Sequence, residues 1–289
     1  MITKLENQNI CAVINSQGAE LASLILKKDQ TEYLWNANPG IWGRHAPVLF
    51  PIVGGVIDNH YKIGERIFEL SQHGFARDMN FKKVEMTLES VIYRLTSDEC
   101  TLVKFPYKFQ LDISYRLKNC GVIVEYRVKN IDKHPIFFSI GSHPGFNCPL
   151  LSNEKFEDYY LEFQEKETTY RYYLENGLIS KKELFLQNQN IVPLSDELFK
   201  DGALIFKNLR SKQISLKSRK SEKTITVRYQ DFPFMGIWSK AGGAPFVCIE
   251  PWCGIADTVG EPRDFRQKEG IISLDYGQEF TREYSLIVT

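Results

Sequence analysis

Two titratable residues in this 289-residue chain stand where a side chain could move protons. His143 follows an apolar, strand-forming run over residues 136–140 and sits in Ser142-His143-Pro144-Gly145-Phe146. Proline holds the residue before it in extended geometry, so the imidazole is expected on a stiff rim rather than a mobile loop. Imidazole lends and recovers a proton near neutral pH. Glu250 lies in Phe246-Val247-Cys248-Ile249-Glu250-Pro251-Trp252, at the end of a strand that is otherwise apolar. Period-two alternation puts it on the face of Phe246 and Cys248. A carboxyl in such a run is either paired or raised in pKa by desolvation, and both suit a general base. Taken singly, each residue has a plainer reading: a histidine capping a strand end, or a glutamate in a buried ion pair. Together they fit a reaction that shifts protons without metal or nucleotide.

Three further stretches offer binding groups. Gly43-Arg44-His45-Ala46-Pro47 presents a guanidinium, a planar fork of donors for hydroxyls or an anion, or else a surface partner for a carboxylate. Gln72-His73-Gly74-Phe75-Ala76-Arg77 supplies a second histidine before glycine, and an arginine four residues on. Leu198-Phe199-Lys200-Asp201-Gly202-Ala203 places an aspartate just before a strand, where turn formation explains it nearly as well.

Other chemistries lack their residues. There is no nucleophile elbow for a serine triad, and no glycine-rich phosphate loop or dinucleotide fingerprint, so no cofactor is expected. Six scattered cysteines read as reduced thiols. Cys248 and Cys253 make one conceivable metal pair, but no second pair or histidine cluster completes a site, and no metal is expected. Thirty-six basic and 36 acidic residues cancel, so neither nucleic acid nor an anionic membrane is an expected partner. No secretory leader is visible in residues 1–20, and no apolar run is long enough for a bilayer; cytoplasmic residence is the expectation.

These residues have to be held by strands. Nineteen Phe, 14 Tyr and 4 Trp suit a β-rich interior and stacking surfaces for flat or sugar-like ligands. Residues 108–117 alternate strictly, with Phe109, Leu111, Ile113, Tyr115 and Leu117 on one face. A turn at 118–121 leads into Val122, Val124, Tyr126 and Val128, which predicts a hairpin with one wet face. Asn176-Gly177 marks a second hairpin, and residues 214–219 with 224–229 a third. Further strands are expected at 20–26, 234–239, 246–250 and 281–288. Helix is confined to a turn or two at 195–200, with Ser195 as a possible cap. The pattern predicts an all-β chain folded as one antiparallel β-sandwich or barrel over residues 1–289.

Arg44, His73-Gly74, Ser142-His143-Pro144-Gly145-Phe146 and Glu250-Pro251, in that order along essentially the whole chain, resemble the aldose 1-epimerase (galactose mutarotase-like) family. The resemblance implies a large β-sandwich with a sugar site on the concave face of one sheet. It implies His143 as the acid that protonates the ring oxygen and Glu250 as the base that deprotonates the anomeric hydroxyl. His73 would polarise the anomeric oxygen, Arg44 would hold sugar hydroxyls, and Asp201 would match a sugar-binding aspartate by position. Mutarotases of this family tend to carry a second glycine after the histidine-glycine pair, where this chain has Phe75-Ala76-Arg77. That form looks more like the branch of hexose-6-phosphate 1-epimerases and of mutarotase-related proteins from bacterial sugar operons. Arg77 could then grip a phosphate bidentately. The expected partner is a small sugar, free or 6-phosphorylated. The rival readings are a non-catalytic carbohydrate-binding protein and a metal-dependent sugar isomerase, for which five dispersed histidines hardly provide ligands.

Overall fold

The alternation over residues 109–130 sets the architecture. Phe109, Leu111, Ile113, Tyr115 and Leu117 are buried along strand Phe109–Lys118, and Val122, Val124, Tyr126 and Val128 along Gly121–Asn130. The two pair antiparallel from Phe109 opposite Asn130 to Lys118 opposite Gly121. The computed structural model describes residues 1–260 and 264–289. In it this hairpin belongs to a 15-stranded antiparallel sheet.

Half of that sheet is wall. Gln213–Ser218, Thr224–Tyr229, Glu279–Val288, Gly121–Asn130, Phe109–Lys118, Ser90–Thr96 and Lys82–Met86 follow one another in space. A four-stranded N-terminal sheet, Ile2–Glu6, Ile10–Asn15, Leu21–Leu26 and Thr31–Glu32, contributes to the same core. Two buried tyrosines stitch the sheets together: Tyr93 Oη donates to Thr3 Oγ1 at 2.7 Å and Tyr115 Oη to the Ala19 carbonyl at 2.6 Å. The fold is the expected all-β antiparallel sandwich.

The other half carries the candidate residues. Its order is Val48–Leu49, Gly141–Ser142, Phe246–Trp252, Phe234–Trp238, Leu204–Lys207 and Tyr159–Glu175. Gly145–Asn147 pairs beside Gly141–Ser142 on Phe246–Trp252, and Leu178–Pro193 pairs with Tyr159–Glu175. The latter two strands form a long hairpin that turns at Asn176-Gly177, both in the left-handed region (φ 50° and 82°) as an Asn-Gly turn requires.

Three local expectations change. Strand Phe246–Trp252 runs past Glu250 through Pro251, so the glutamate sits inside the strand rather than at its end. Residues 195–200 form only the short 3-10 turn Asp196–Phe199, and the Ser195 side chain makes no cap hydrogen bond. A short helix, Glu99–Lys104, stands where none was expected, started by a capping box in which Asp98 accepts from the Thr101 amide and Thr101 Oγ1 accepts from the Asp98 amide. No helix among the described residues is long and apolar enough to cross a membrane.

Candidate active site

Strand register brings the two proton-moving candidates together. Gly141 pairs with Trp252 and Gly145 with Cys248, so the same antiparallel register, carried across the Pro144 interruption, sets His143 opposite Glu250. His143 Nε2 lies 3.2 Å from Glu250 Oε2. The two atoms are in contact but not aligned as a hydrogen bond, and Glu250 Oε2 and His143 Nδ1 are both buried without partners among the described residues. Glu250 is 1% exposed. Burial pushes its carboxyl well above the ordinary carboxylate range. Burial also lowers the His143 imidazole to about 3, and the charges of Arg77 and Arg44 add to this. Burial thus favours the neutral carboxyl on Glu250 and the neutral imidazole on His143.

His73 is held by strain beside this pair. Its φ is +67°, a region that a bulky side chain rarely adopts. Gly74 follows at +70°, where a Cβ would come within 2.3 Å of the Phe50 carbonyl oxygen, so only glycine fits. The His73 amide donates to the Gly54 carbonyl, and the Gly54 amide donates back to His73 Nδ1 at 3.1 Å. Nδ1 is thus the acceptor, which leaves the proton of the neutral ring on Nε2. Burial, then His143, Arg77 and Arg44, hold this imidazole well below its usual pKa. It meets His143 edge-on, ring centroids 5.7 Å apart at 90°.

A cavity of about 320 Å³ opens over these side chains, within the range of small-molecule sites. His73, Arg77, His143 and Glu250 line it, with Gln72 beside them. Trp42, Trp238 and Trp252 form its aromatic sides, and Leu174 and Gly177 reach it from the tip of the long hairpin. Trp42 lies over His143 at 5.0 Å and 31°, and Trp238 meets it edge-on at 5.7 Å. Gly145 makes the first of these contacts possible, since a Cβ there would fall 2.7 Å from the Trp42 ring.

Of the six residues singled out in the sequence, the structure gathers four. Arg44 lies outside the cavity lining, its guanidinium 2.8 Å from Asp78. Asp201 is exposed and borders a separate groove with Tyr173, Lys181 and Glu183, while its neighbours Gly202 and Ala203 line the cavity. Arg77 donates to the Gln72 carbonyl, its Nε is buried without a hydrogen-bond partner among the described residues, and Asp78 Oδ2 stays 3.9 Å away.

The tryptophans were legible only as composition. Their signal was number and place: of four in the chain, Trp42, Trp238 and Trp252 line the cavity and Trp35 stacks behind them on Phe246. All six cysteines are free thiols. Cys253 packs in the main core and borders a different groove, whereas Cys248 joins the Trp35–Phe246 cluster. Donor atoms of Cys248, His143 and Glu250 all lie within 4.8 Å of one another. The alternation that set Cys248 on the face of Glu250 already carried that contact.

Comparison with known proteins gives a match over residues 1–273 to the family described as aldose 1-epimerase. The chain is 35% identical over 271 residues to the plasmid-borne Protein LacX of Lactococcus lactis subsp. lactis, with 90% of each chain covered. Among solved structures, a galactose mutarotase related enzyme from Lactobacillus acidophilus shares 37% identity at a TM-score of 0.96, over 100% of this chain and 97% of that one. A galactose mutarotase-like protein from Lactobacillus casei shares 33% identity at a TM-score of 0.93, over 100% of both.

Proposed function

The chain belongs to the aldose 1-epimerase family, and from that premise we propose that it interconverts the α and β anomers of an unphosphorylated aldohexose, with Glu250 as base and His143 as acid. The observation that carries this reading is the cross-strand contact of 3.2 Å between the two side chains at the floor of the cavity. Anomer exchange needs a proton removed from one oxygen and a proton delivered to another on the same carbon. Two groups in mutual contact suit two oxygens so close together.

Glu250 takes the proton of the anomeric hydroxyl while His143 protonates the ring oxygen. The ring opens to the aldehyde, the C1–C2 bond rotates, and closure on the other face returns both protons. The pair has the right number of protons for this. A neutral carboxylic acid beside a neutral imidazole, and a carboxylate beside an imidazolium, differ only in where one proton sits. The working form carries the same number of protons as the form that burial favours, and the two atoms concerned lie 3.2 Å apart. His73, with its proton on Nε2, donates to the anomeric oxygen and stabilises charge as it develops. Arg77 holds hydroxyls directly, and Arg44 supports it through Asp78. The tryptophans supply faces for the sugar's C–H bonds. Asp201 has no role in this reading, because it borders the neighbouring groove.

One observation favours a second substrate class. Asp78 sits closer to Arg44 than to Arg77, so a half-buried guanidinium on the cavity wall has its nearest carboxylate among the described residues 3.9 Å away, which would suit a sugar 6-phosphate. Polarimetry on freshly dissolved sugars tests the main reading. Glu250→Gln and His143→Asn should each lower turnover by about 10²-fold or more. Full turnover in either folded variant sinks the assignment. Binding without any acceleration by the wild-type protein would make it a carbohydrate-binding protein instead.

A further inference from the structure

We propose that His143, Cys248 and Glu250 form a binding site for a thiophilic divalent cation of the zinc class, and that the cation shuts the cavity's chemistry off. The three side chains offer nitrogen, sulfur and oxygen donors, the set that zinc takes in proteins. Their donor atoms lie within 4.8 Å of one another. Zinc–ligand bonds of roughly 2.0–2.3 Å put tetrahedral donors roughly 3.3–3.8 Å apart, so the widest pair has only about an ångström to close. The His143–Glu250 pair, at 3.2 Å, is already within reach of a shared ion.

Two features beyond proximity point to a cation. Glu250 Oε2 is a buried polar atom without a partner among the described residues, and a bound ion would satisfy it. The charges also close. Cys248 is fully buried among Trp35, Phe246 and Ala244, where a net charge would be costly. A thiolate and a carboxylate neutralise a dication, and a neutral imidazole adds no charge. Binding displaces the Cys248 thiol proton and the proton that Glu250 holds in its buried form. Two protons leave to solvent per ion, and affinity rises with pH. Three protein donors leave the fourth position to water or a sugar hydroxyl from the cavity, because His143 and Glu250 face it.

The ion would occupy both proton-transfer groups, so it acts as an inhibitor rather than a cofactor. That consequence rests on the proposed function; the binding itself does not. Cadmium, which reports thiolate ligation by an ultraviolet charge-transfer band, is the first probe. The expected result is a saturable band at one equivalent per chain, lost in Cys248→Ala. Zinc affinity, read by competition with a chelating dye, should fall more than about tenfold in Cys248→Ala and in His143→Asn, since even outer-shell partners are worth that much at metal sites. Where Cys248→Ala melts poorly, Cys248→Ser serves in its place and should lose the band equally. Zinc should stop wild-type turnover, a chelator should restore it, and whatever turnover Cys248→Ala retains should resist zinc. A missing band in the wild type overturns the site. So does a band that survives Cys248→Ala, because it would belong to Cys11, Cys100 or Cys120, which are at least partly accessible. Stoichiometric binding through Cys248 with turnover undiminished would uphold the site and remove His143 and Glu250 from the catalytic reading.

Discussion

The strand hairpin at 109–130 and the strand at 246–252 belong to one sheet, yet they obey different rules. In Phe109–Lys118 apolar positions are buried and Gln110, Ser114, Arg116 and Lys118 meet water to different degrees. In Phe246–Trp252 every residue is buried, because the core covers one face and the aromatic cluster with the cavity floor covers the other. The first arrangement lowers free energy by removing apolar area from water. The second accepts a carboxyl oxygen unpartnered among the described residues and, against it, a strained His73 and a His143 whose burial opposes its charge. On the proposed function, stability and chemistry fall to separate halves of one sheet, and the cavity half is the one that carries strained and unpartnered groups.

This contrast can be broken from the wall side first. Ile113→Ala opens a cavity in the fully buried wall and should cost about 2–5 kcal/mol in urea unfolding, with turnover per folded molecule unchanged. Turnover that falls while stability holds would mean the halves are coupled. A smaller effect belongs to Arg77 on the cavity wall. Arg77→Ala should raise KM for a 6-phosphorylated hexose by about one to two orders of magnitude if that is the substrate, each charge-assisted hydrogen bond being worth roughly 1.5–3 kcal/mol. The free hexose should respond less, because it loses contacts to neutral hydroxyls rather than to a dianion. A wild-type preference for the phosphate that vanishes in the variant would overturn the proposed free-sugar substrate.

The smallest effect sharpens the contrast from the site side. Burial raises the Glu250 pKa in the folded chain above its ordinary value of 4.5, so the folded state holds a proton that the unfolded chain releases. Stability therefore falls as pH climbs from that value through the raised one. Glu250→Gln removes this dependence. Its melting temperature should match or trail wild type in acid and gain on it progressively as pH rises. His143, with its lowered pKa, makes the folded state gain stability as pH rises from about 3 toward 6.5, and this drift is shared by both proteins. A gap that stays constant with pH would show that Glu250 is not held protonated by burial.

Legibility followed the same division. Residues 109–130 could be read outright because one wet face leaves alternation in the sequence. Glu250 was visible by contrast, as a charge in an apolar run, but Pro251 made the strand look two residues shorter than it is. His143 facing Glu250 depends on the pairings 141–252 and 145–248, which join segments about a hundred residues apart and leave no local mark. The family resemblance put the two residues in one site where periodicity could not. Asp201 was placed by its position before a strand, and position does not fix which side of a turn a short side chain takes. The helix Glu99–Lys104 escaped because its six residues are too few for a period, and its capping box uses threonine where glutamate is the usual sign.

The tryptophans give the two halves separate voices. Trp35, Trp42, Trp238 and Trp252 all stand in or behind the cavity, and the wall strands hold none. Tyr93, Tyr115, Tyr126 and Tyr284 are buried in the wall instead. Light absorbed at the red edge, where tryptophan alone responds, is therefore emitted from the site half and nowhere else. A fluorescence melt of this chain records the cavity coming apart, whereas tyrosine absorbance reports both halves, since Tyr159, Tyr160, Tyr170, Tyr172 and Tyr173 lie on one strand of the site half; a tyrosine curve that lags the fluorescence curve measures how far one sheet unfolds as two.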